Sequence, residues 1–243
     1  MRLPPTFDAR LVAARMLTPT VRELTFERVD GAPFEFEAGQ WVNLTLPLAS
    51  GEVKRAYSIA SAPSGDGRFD LAVTRVDGGP GSCHLHALEP GAVVTVTGPQ
   101  GFFTRPLDKT GPSLFVATGT GFTPMRSMIH AALRHGHGLP LWLLLGVRSE
   151  EDRLYHEELA ALAAAHPELV VHYSLSRGSE GWAGRRGYVQ THVRELYAGL
   201  EALGRGKPHV YICGLQKMVG SVRDLLRKDM GLPRELVHSE RYD

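Results

Sequence analysis

Arg55-Ala56-Tyr57-Ser58-Ile59 interleaves a guanidinium, a phenol and a hydroxyl with apolar residues. On a strand, residues two apart share a face, so Arg55, Tyr57 and Ile59 point one way. A guanidinium there can grip a pyrophosphate while the phenol ring lies against a flat conjugated system. That is half of a flavin site. The plain alternative is a barrel strand with an exposed arginine, and the segment alone does not separate the two.

A second motif, Ala117-Thr118-Gly119-Thr120-Gly121-Phe122-Thr123-Pro124, follows an apolar run and opens a helical pattern. Glycines at such a junction let phosphate oxygens approach backbone N–H groups, and the helix dipole favours the anion. The dinucleotide fingerprint would want a third glycine where Pro124 stands, so this is a relative of that motif. Pro124 suits a first helical turn, where its missing N–H costs nothing. Gly78-Gly79-Pro80-Gly81-Ser82 could serve a second phosphate beside Arg55, although most such stretches are turns.

A nucleotide 2′-phosphate wants guanidinium groups and hydroxyls, whereas the bare ribose usually meets an acidic residue. After one apolar run the chain offers Ser176-Arg177, then Arg185-Arg186-Gly187-Tyr188-Val189-Gln190; Arg148 follows another run. The bland alternative makes Arg185 and Arg186 solvated loop charges, and for Arg185 that alternative is adopted. His84 and His86 flank Cys83, but without further ligands nearby no metal site is expected.

The elements that must carry these residues divide into two grammars. From Arg10 to about Gly98 the pattern alternates at period two, with strands expected over Val21–Val29, Trp41–Leu46, Arg68–Arg75 and Ala92–Thr97 and one short helix over Ser82–Leu88. About six antiparallel strands imply a small closed barrel. After Gly111, apolar runs (Ser113–Thr118, Leu141–Val147, Leu169–Leu175, Val210–Cys213) alternate with helical patterns (Pro124–His135, Tyr155–His166, Val189–Leu203, Lys217–Met230). That alternation implies a parallel sheet covered on both faces. The expected division is a barrel over 1–108 and an α/β domain over 109–243, with Gly136 and Gly231 as helix C-terminal glycines.

Composition narrows the classes. Of 243 residues, 43% are hydrophobic and 22% charged, as in ordinary globular chains. No apolar run is long enough to cross a bilayer, and Met1–Thr6 lacks an apolar signal core, so a cytoplasmic protein is expected. A net charge of +1 gives no sign of nucleic-acid binding. Residues 1–108 hold 10 Lys and Arg against 12 Asp and Glu, leaving the second half slightly basic. Two cysteines cannot hold a Cys₄ iron–sulfur cluster.

Taken in order, these segments resemble the ferredoxin–NADP⁺ reductases and their FAD-containing relatives. The resemblance runs through Arg55–Ser58, Gly81-Ser82, Gly98–Phe102, Gly119–Ser127, Leu154–Glu158, Ser176-Arg177, Tyr211–Gly214 and Glu240–Tyr242. It implies that Arg55 and the Gly81-Ser82-Cys83 turn grip the FAD pyrophosphate. Tyr57, with Ser58 and Ile59 beside it, would stack on one face of the isoalloxazine. Tyr242 would cover the other face, although Asp243 follows it here whereas the plant-type enzymes end at the aromatic. Ser58, Cys213, Glu240 and Tyr242 would surround the hydride path, with the nicotinamide across a cleft between the domains. Thr118, Gly119, Thr120, Gly121, Pro124, Cys213 and Gly214 would bind NADP. Arg148, Ser176, Arg177 and Arg186 would hold its 2′-phosphate, and Tyr188, near Gln190, its adenine.

The implied activity is hydride transfer between NADP(H) and FAD, with single electrons exchanged with ferredoxin or flavodoxin by a monomeric, compact bacterial-type enzyme. The alternatives are an NAD(P)H:flavin or quinone reductase, an oxygenase reductase component, or a flavin- and nucleotide-binding regulatory subunit without turnover.

Overall fold

The computed structural model describes residues 3–108, 111–136 and 138–242. Its contacts divide it into two compact units, Met1–Arg105 with Arg126–Ala131, and Pro106–Met125 with Ala132–Asp243. The terminal Asp243, His137 and two residues at the expected 108/109 join lie outside the described residues.

The first unit contains β1 (Thr6–Met16), β2 (Val21–Arg28), β3 (Trp41–Leu48), β4 (Gly51–Ser58), β5 (Arg68–Thr74), α1 (Pro80–Ala87) and β6 (Val93–Gln100). All pairings are antiparallel, in the order β4-β3-β6-β1-β2-β5. The two edge strands meet at the single bridge Ile59↔Leu71, so the six-stranded barrel is drawn together at one end rather than laddered shut. Period-two alternation turns Phe7, Ala9 and Leu11 of β1, and Val42, Leu44 and Leu46 of β3, inward. They meet Phe26, Phe34 and Phe69 in one core, with Phe34 5.1 Å from Phe7 and 5.0 Å from Phe69.

The second unit alternates as expected: β7 (Ser113–Thr118), α2 (Thr123–His135), β8 (Leu141–Val147), α3 (His156–Ala165), β9 (Leu169–Leu175), β10 (Arg185–Arg186), α4 (Val193–Glu201), β11 (His209–Leu215), α5 (Gln216–Asp224) and β12 (Val237–Tyr242). The parallel sheet runs β10-β9-β8-β7-β11-β12. Leu114, Val116, Leu144, Val210 and Ile212 of the sheet bury against α4 and α5 through Leu196, Leu200, Val219 and Val222. Gly136 closes α2 in the left-handed region at φ 76°, where a side chain would be strained.

Two strands of this unit were not expected as such. β10 is two residues long, too short for any periodicity. β12 alternates half-buried and exposed residues at the sheet edge, so it lacks an apolar run. The expected helix over Val189–Leu203 is a 3₁₀ turn (Val189–Thr191) followed by α4, and that over Lys217–Met230 is α5 followed by a π turn (Leu225–Asp229).

From β7 the chain winds outward through β8, β9 and β10, then returns to build β11 and β12 on the other side. The order therefore reverses between β7 and β11. In open parallel sheets the crevice beyond the carboxyl ends of such a strand pair is where ligands bind.

Candidate active-site residues in each unit

The predicted residues fall into two sets. In the first unit β4 carries Arg55, Tyr57 and Ser58, paired with Leu44, Val42 and Trp41 of β3. Ser58 is buried, and Ile59 is fully buried at the bridge that draws the barrel together. Arg55 is exposed and donates through Nη1 to the Lys54 carbonyl at 3.0 Å. Its stem runs beside Gly81 at the start of α1, where an added Cβ would stand 3.3 Å from the Arg55 Cγ. Arg55, Gly81 and Ser82 are thus brought together.

Helix α1 is pinned to the barrel by buried Leu85 and by the His86 Nε2–H donated to the Val73 carbonyl at 2.8 Å. Its second histidine therefore has a structural task. The Ser82 hydroxyl closes its own turn, accepting from Val76 N–H at 3.0 Å and donating to the Gly79 carbonyl at 3.1 Å. The first-turn N–H groups of Gly81 and Ser82 have no intrahelical acceptor, which suits an anion. Cys83 turns its thiol toward the Val76 carbonyl, 3.7 Å away. Burial pushes the Tyr57 phenol up to about 12 against the opposing charge of Arg55, so it stays neutral over the physiological range.

In the second unit β7 ends at Thr118 and the chain turns through Gly119–Phe122 into α2, with Pro124 in its first turn. Gly119 sits at φ 52°. A Cβ on Gly121 would lie 2.4 Å from the Cys213 carbonyl oxygen, and one on Gly214 2.3 Å from the Thr118 hydroxyl. The glycine turn and the end of β11 therefore touch backbone to backbone. The Thr118 Oγ1 is buried without a hydrogen-bond partner in this crevice, as a polar atom awaiting a ligand would be.

Parallel pairing of β11 with β12 sets Cys213 beside Glu240 and Leu215 beside Tyr242. The Tyr242 hydroxyl lies 3.1 Å from Thr123 Oγ1, which itself donates to the Thr120 carbonyl at 2.7 Å. Thr123 has one proton and gives it to Thr120, so the phenol donates. Burial, reinforced by the Glu240 charge, pushes the Cys213 thiol, itself hydrogen-bonded to the Tyr242 oxygen, well above its ordinary value. It remains a neutral thiol. Thr123 carried no role in the sequence reading; its place between the glycine turn and Pro124 was the available signal.

Beyond β8 and β9, Ser176 N–H donates to the Val147 carbonyl at 3.1 Å and Arg177 N–H to the Arg148 carbonyl at 2.7 Å. These bonds bring exposed Arg148 and Arg177 side by side. Tyr188 is 69% exposed, and Gln190 lies half-buried in the following 3₁₀ turn. Arg185, expected to be a solvated loop charge, instead lies on β10 and pairs with Glu195 through two bonds of 2.8 and 2.9 Å. Arg186 turns toward four carbonyls of its own loop.

Residues 8–104 match an oxidoreductase FAD-binding domain and residues 115–224 an oxidoreductase NAD-binding domain. Over 238 residues, 98% of each chain, the sequence is 61% identical to ferredoxin–NADP reductase B of Sorangium cellulosum. The chain belongs to the ferredoxin–NADP⁺ reductase family. The reductase is accordingly a flavoprotein oxidoreductase that uses FAD and NADP. It is also 33% identical to the reductase component of a naphthalene 1,2-dioxygenase/salicylate 5-hydroxylase system of a Ralstonia species, over 86% of this chain and 61% of that one. Among solved structures, an Amycolatopsis cytochrome P450 reductase, GcoB, aligns at a TM-score of 0.82 and 28% identity, covering 99% of the reductase and 71% of that chain. The CS-b5R domains of human Ncb5or align at 0.86 and 24% identity over 98% and 70%, a likeness of fold.

Proposed function

We propose that the reductase exchanges hydride with NADP(H) and single electrons with a small carrier protein, ferredoxin or flavodoxin, and that the residues above form its sites. The observation that carries this reading is the register of β12 on β11. It gathers Cys213, Glu240 and Tyr242 at the strand end that abuts the glycine turn, and simple nucleotide binding needs no such set. Family membership implies an electron-carrier partner.

In this reading residues 1–108 hold FAD and 109–243 bind NADP. Arg55 and the N–H groups of Gly81 and Ser82 grip the pyrophosphate, with Cys83 beside them. Tyr57, flanked by Ser58 and Ile59, lays a neutral ring against the flavin. Bound FAD supplies the redox chemistry, converting a two-electron donor into a source of single electrons. The Thr118–Gly121 turn, Pro124 and Gly214 receive the dinucleotide phosphates, with the orphaned Thr118 hydroxyl as one donor. Cys213 and Tyr242 supply neutral groups, one thiol and one phenol that already donates to Thr123. Arg148, Ser176 and Arg177 recognise the 2′-phosphate, with Tyr188 against adenine near Gln190. Among the described residues no helix is long and apolar enough to cross a membrane, and both cysteines are free thiols. The reading takes the protein as a cytoplasmic monomer.

The test is anaerobic stopped-flow absorbance of the FAD-loaded protein against NADPH and NADH. Fast bleaching by NADPH and slow bleaching by NADH is expected; equal rates would remove the 2′-phosphate assignment, and no bleaching would remove the catalytic one. The similarity to dioxygenase reductase components favours one second reading, service to an oxygenase system. Turnover with ferredoxin or flavodoxin compared with free flavin or quinone separates carrier reduction from small-acceptor chemistry.

A further inference from the structure

Arg186 has the composition of a phosphate ligand and the contacts of something else. Its Nη1 donates to the Gly178 carbonyl at 3.1 Å, and its Nη2 faces those of Ser179, Glu180 and Trp182 at 2.7, 3.2 and 2.8 Å. The fork of the guanidinium is occupied from within the loop. A phosphate could take it only by breaking charge-assisted bonds already made.

The same loop is also held by Glu150, which like Arg186 bonds Ser179. Its Oε1 accepts from the Ser179 N–H at 3.0 Å and the Ser179 hydroxyl at 2.5 Å. These donors hold the Glu150 carboxyl below its ordinary value. Glu150 is itself fixed, because its 3₁₀ turn (Glu150–Asp152) is closed by a reciprocal Ser149–Asp152 cap, with the Ser149 hydroxyl 2.7 Å from the carboxylate. Trp182 fills the loop's interior. Its indole N–H donates to the Arg185 carbonyl at 2.9 Å, the Arg153 guanidinium lies 5.5 Å from its ring centre, and a Cβ on Gly184 would stand 2.4 Å from the ring.

The turn that carries Glu150 begins at Arg148, and the loop that carries Ser179 opens with Ser176-Arg177. We propose that Glu150 and Arg186 are positioning residues of one clamp: Glu150 ties the two turns together through Ser179, and Arg186 holds the shape of the loop that carries Ser179. They thereby set the spacing of Arg148 and Arg177, and neither touches the 2′-phosphate. This rests on the assignment of Arg148 and Arg177 made above. It assigns Glu150 a counterintuitive role: a negative charge close to an anion site that improves anion binding.

The sign of one substitution decides the matter. The measurement is the affinity of the FAD-loaded protein for 2′,5′-ADP and for 5′-AMP by titration calorimetry, read as their ratio. If the charge of Glu150 acted directly, Glu150→Ala would tighten 2′,5′-ADP. The clamp predicts the reverse, a ratio lowered about tenfold, with Glu150→Gln near wild type because its carbonyl oxygen still accepts from Ser179. Arg186→Lys should fall as far as Arg186→Ala, since an ammonium keeps the charge but cannot span the four carbonyls. An unchanged or raised ratio in Glu150→Ala, or recovery by Arg186→Lys, overturns the clamp. Arg177→Ala reports separately on the assignment beneath it. If its ratio is unchanged, the phosphate pair is wrong; if it falls while Glu150→Ala does not, the pair stands and the clamp is wrong.

Discussion

Gly81 and Gly121 both open helices that read as phosphate sites, one in each unit, yet they are glycines for different reasons. A Cβ on Gly121 would meet the Cys213 carbonyl at 2.4 Å, a backbone atom held in the β7–β11–β12 ladder. A Cβ on Gly81 would meet the stem of Arg55 at 3.3 Å, the middle of a long, exposed side chain. The first turn is dictated by packing whether or not a ligand binds. The second is permissive, and its shape depends on where Arg55 goes. On the proposed reading, the second unit therefore holds a largely built nucleotide site, whereas the first leaves its grip to an exposed side chain.

The sharpest way to break this contrast is Gly121→Ala. The clash cannot be relieved without moving the Gly119–Phe122 turn away from the end of β11, so a stability loss of about 1 to 3 kcal/mol is expected. NADPH-driven bleaching should slow more than about tenfold while FAD remains bound. Thermal unfolding followed together with flavin absorbance checks both; a variant with normal bleaching would remove the packing argument.

Tyr242→Phe comes next. It keeps the ring and removes the proton donated to Thr123, a bond worth about 1 kcal/mol, so bleaching by NADPH should slow about fivefold. Slowing of equal size in Thr123→Val, and little more in the double variant, would place both residues on one interaction. Gly81→Ala is expected to do less: Arg55 shifts by a few tenths of an ångström, FAD affinity weakens by less than about fivefold, and bleaching by NADPH in FAD-saturated protein is unchanged. A larger loss than in Gly121→Ala would reverse the comparison.

Most of this architecture could be read from the chain because its signals are local. The barrel strands alternate cleanly, the parallel strands are short apolar runs, and glycines mark the turns. What escaped depends on pairing at a distance. β12 carries Glu240 and Tyr242 on an edge with no apolar run, so only its register on β11 makes it a strand. Arg148, Arg177 and Arg186 look alike in sequence, and hydrogen bonding separates two that project from strand ends from one spent on its own loop. Thr123, Glu150 and Ser179 are ordinary residue types whose partners lie 119 and 29 positions away.

The smallest expected effect tests whether the two units treat a buried phenol alike. Tyr57 and Tyr173 are each half-buried beside an arginine, Arg55 in one case and Arg153 in the other, and each is pushed up to about 12. In both, desolvation raises the value and the guanidinium opposes it, so burial wins over charge. A raised phenol favours the neutral form in the folded chain. Its contribution to stability is complete below the unfolded value near 10 and is lost as pH rises from there toward 12, because the unfolded chain then binds fewer protons. Urea midpoints should thus fall between pH 9.5 and 11, and Tyr57→Phe and Tyr173→Phe should each flatten that fall by at most about 1 kcal/mol. A flattening in one variant only would mean that the arginine, not burial, governs the other ring. For Tyr57 that would place the Arg55 charge against the ring rather than free to reach toward the turn at Gly81.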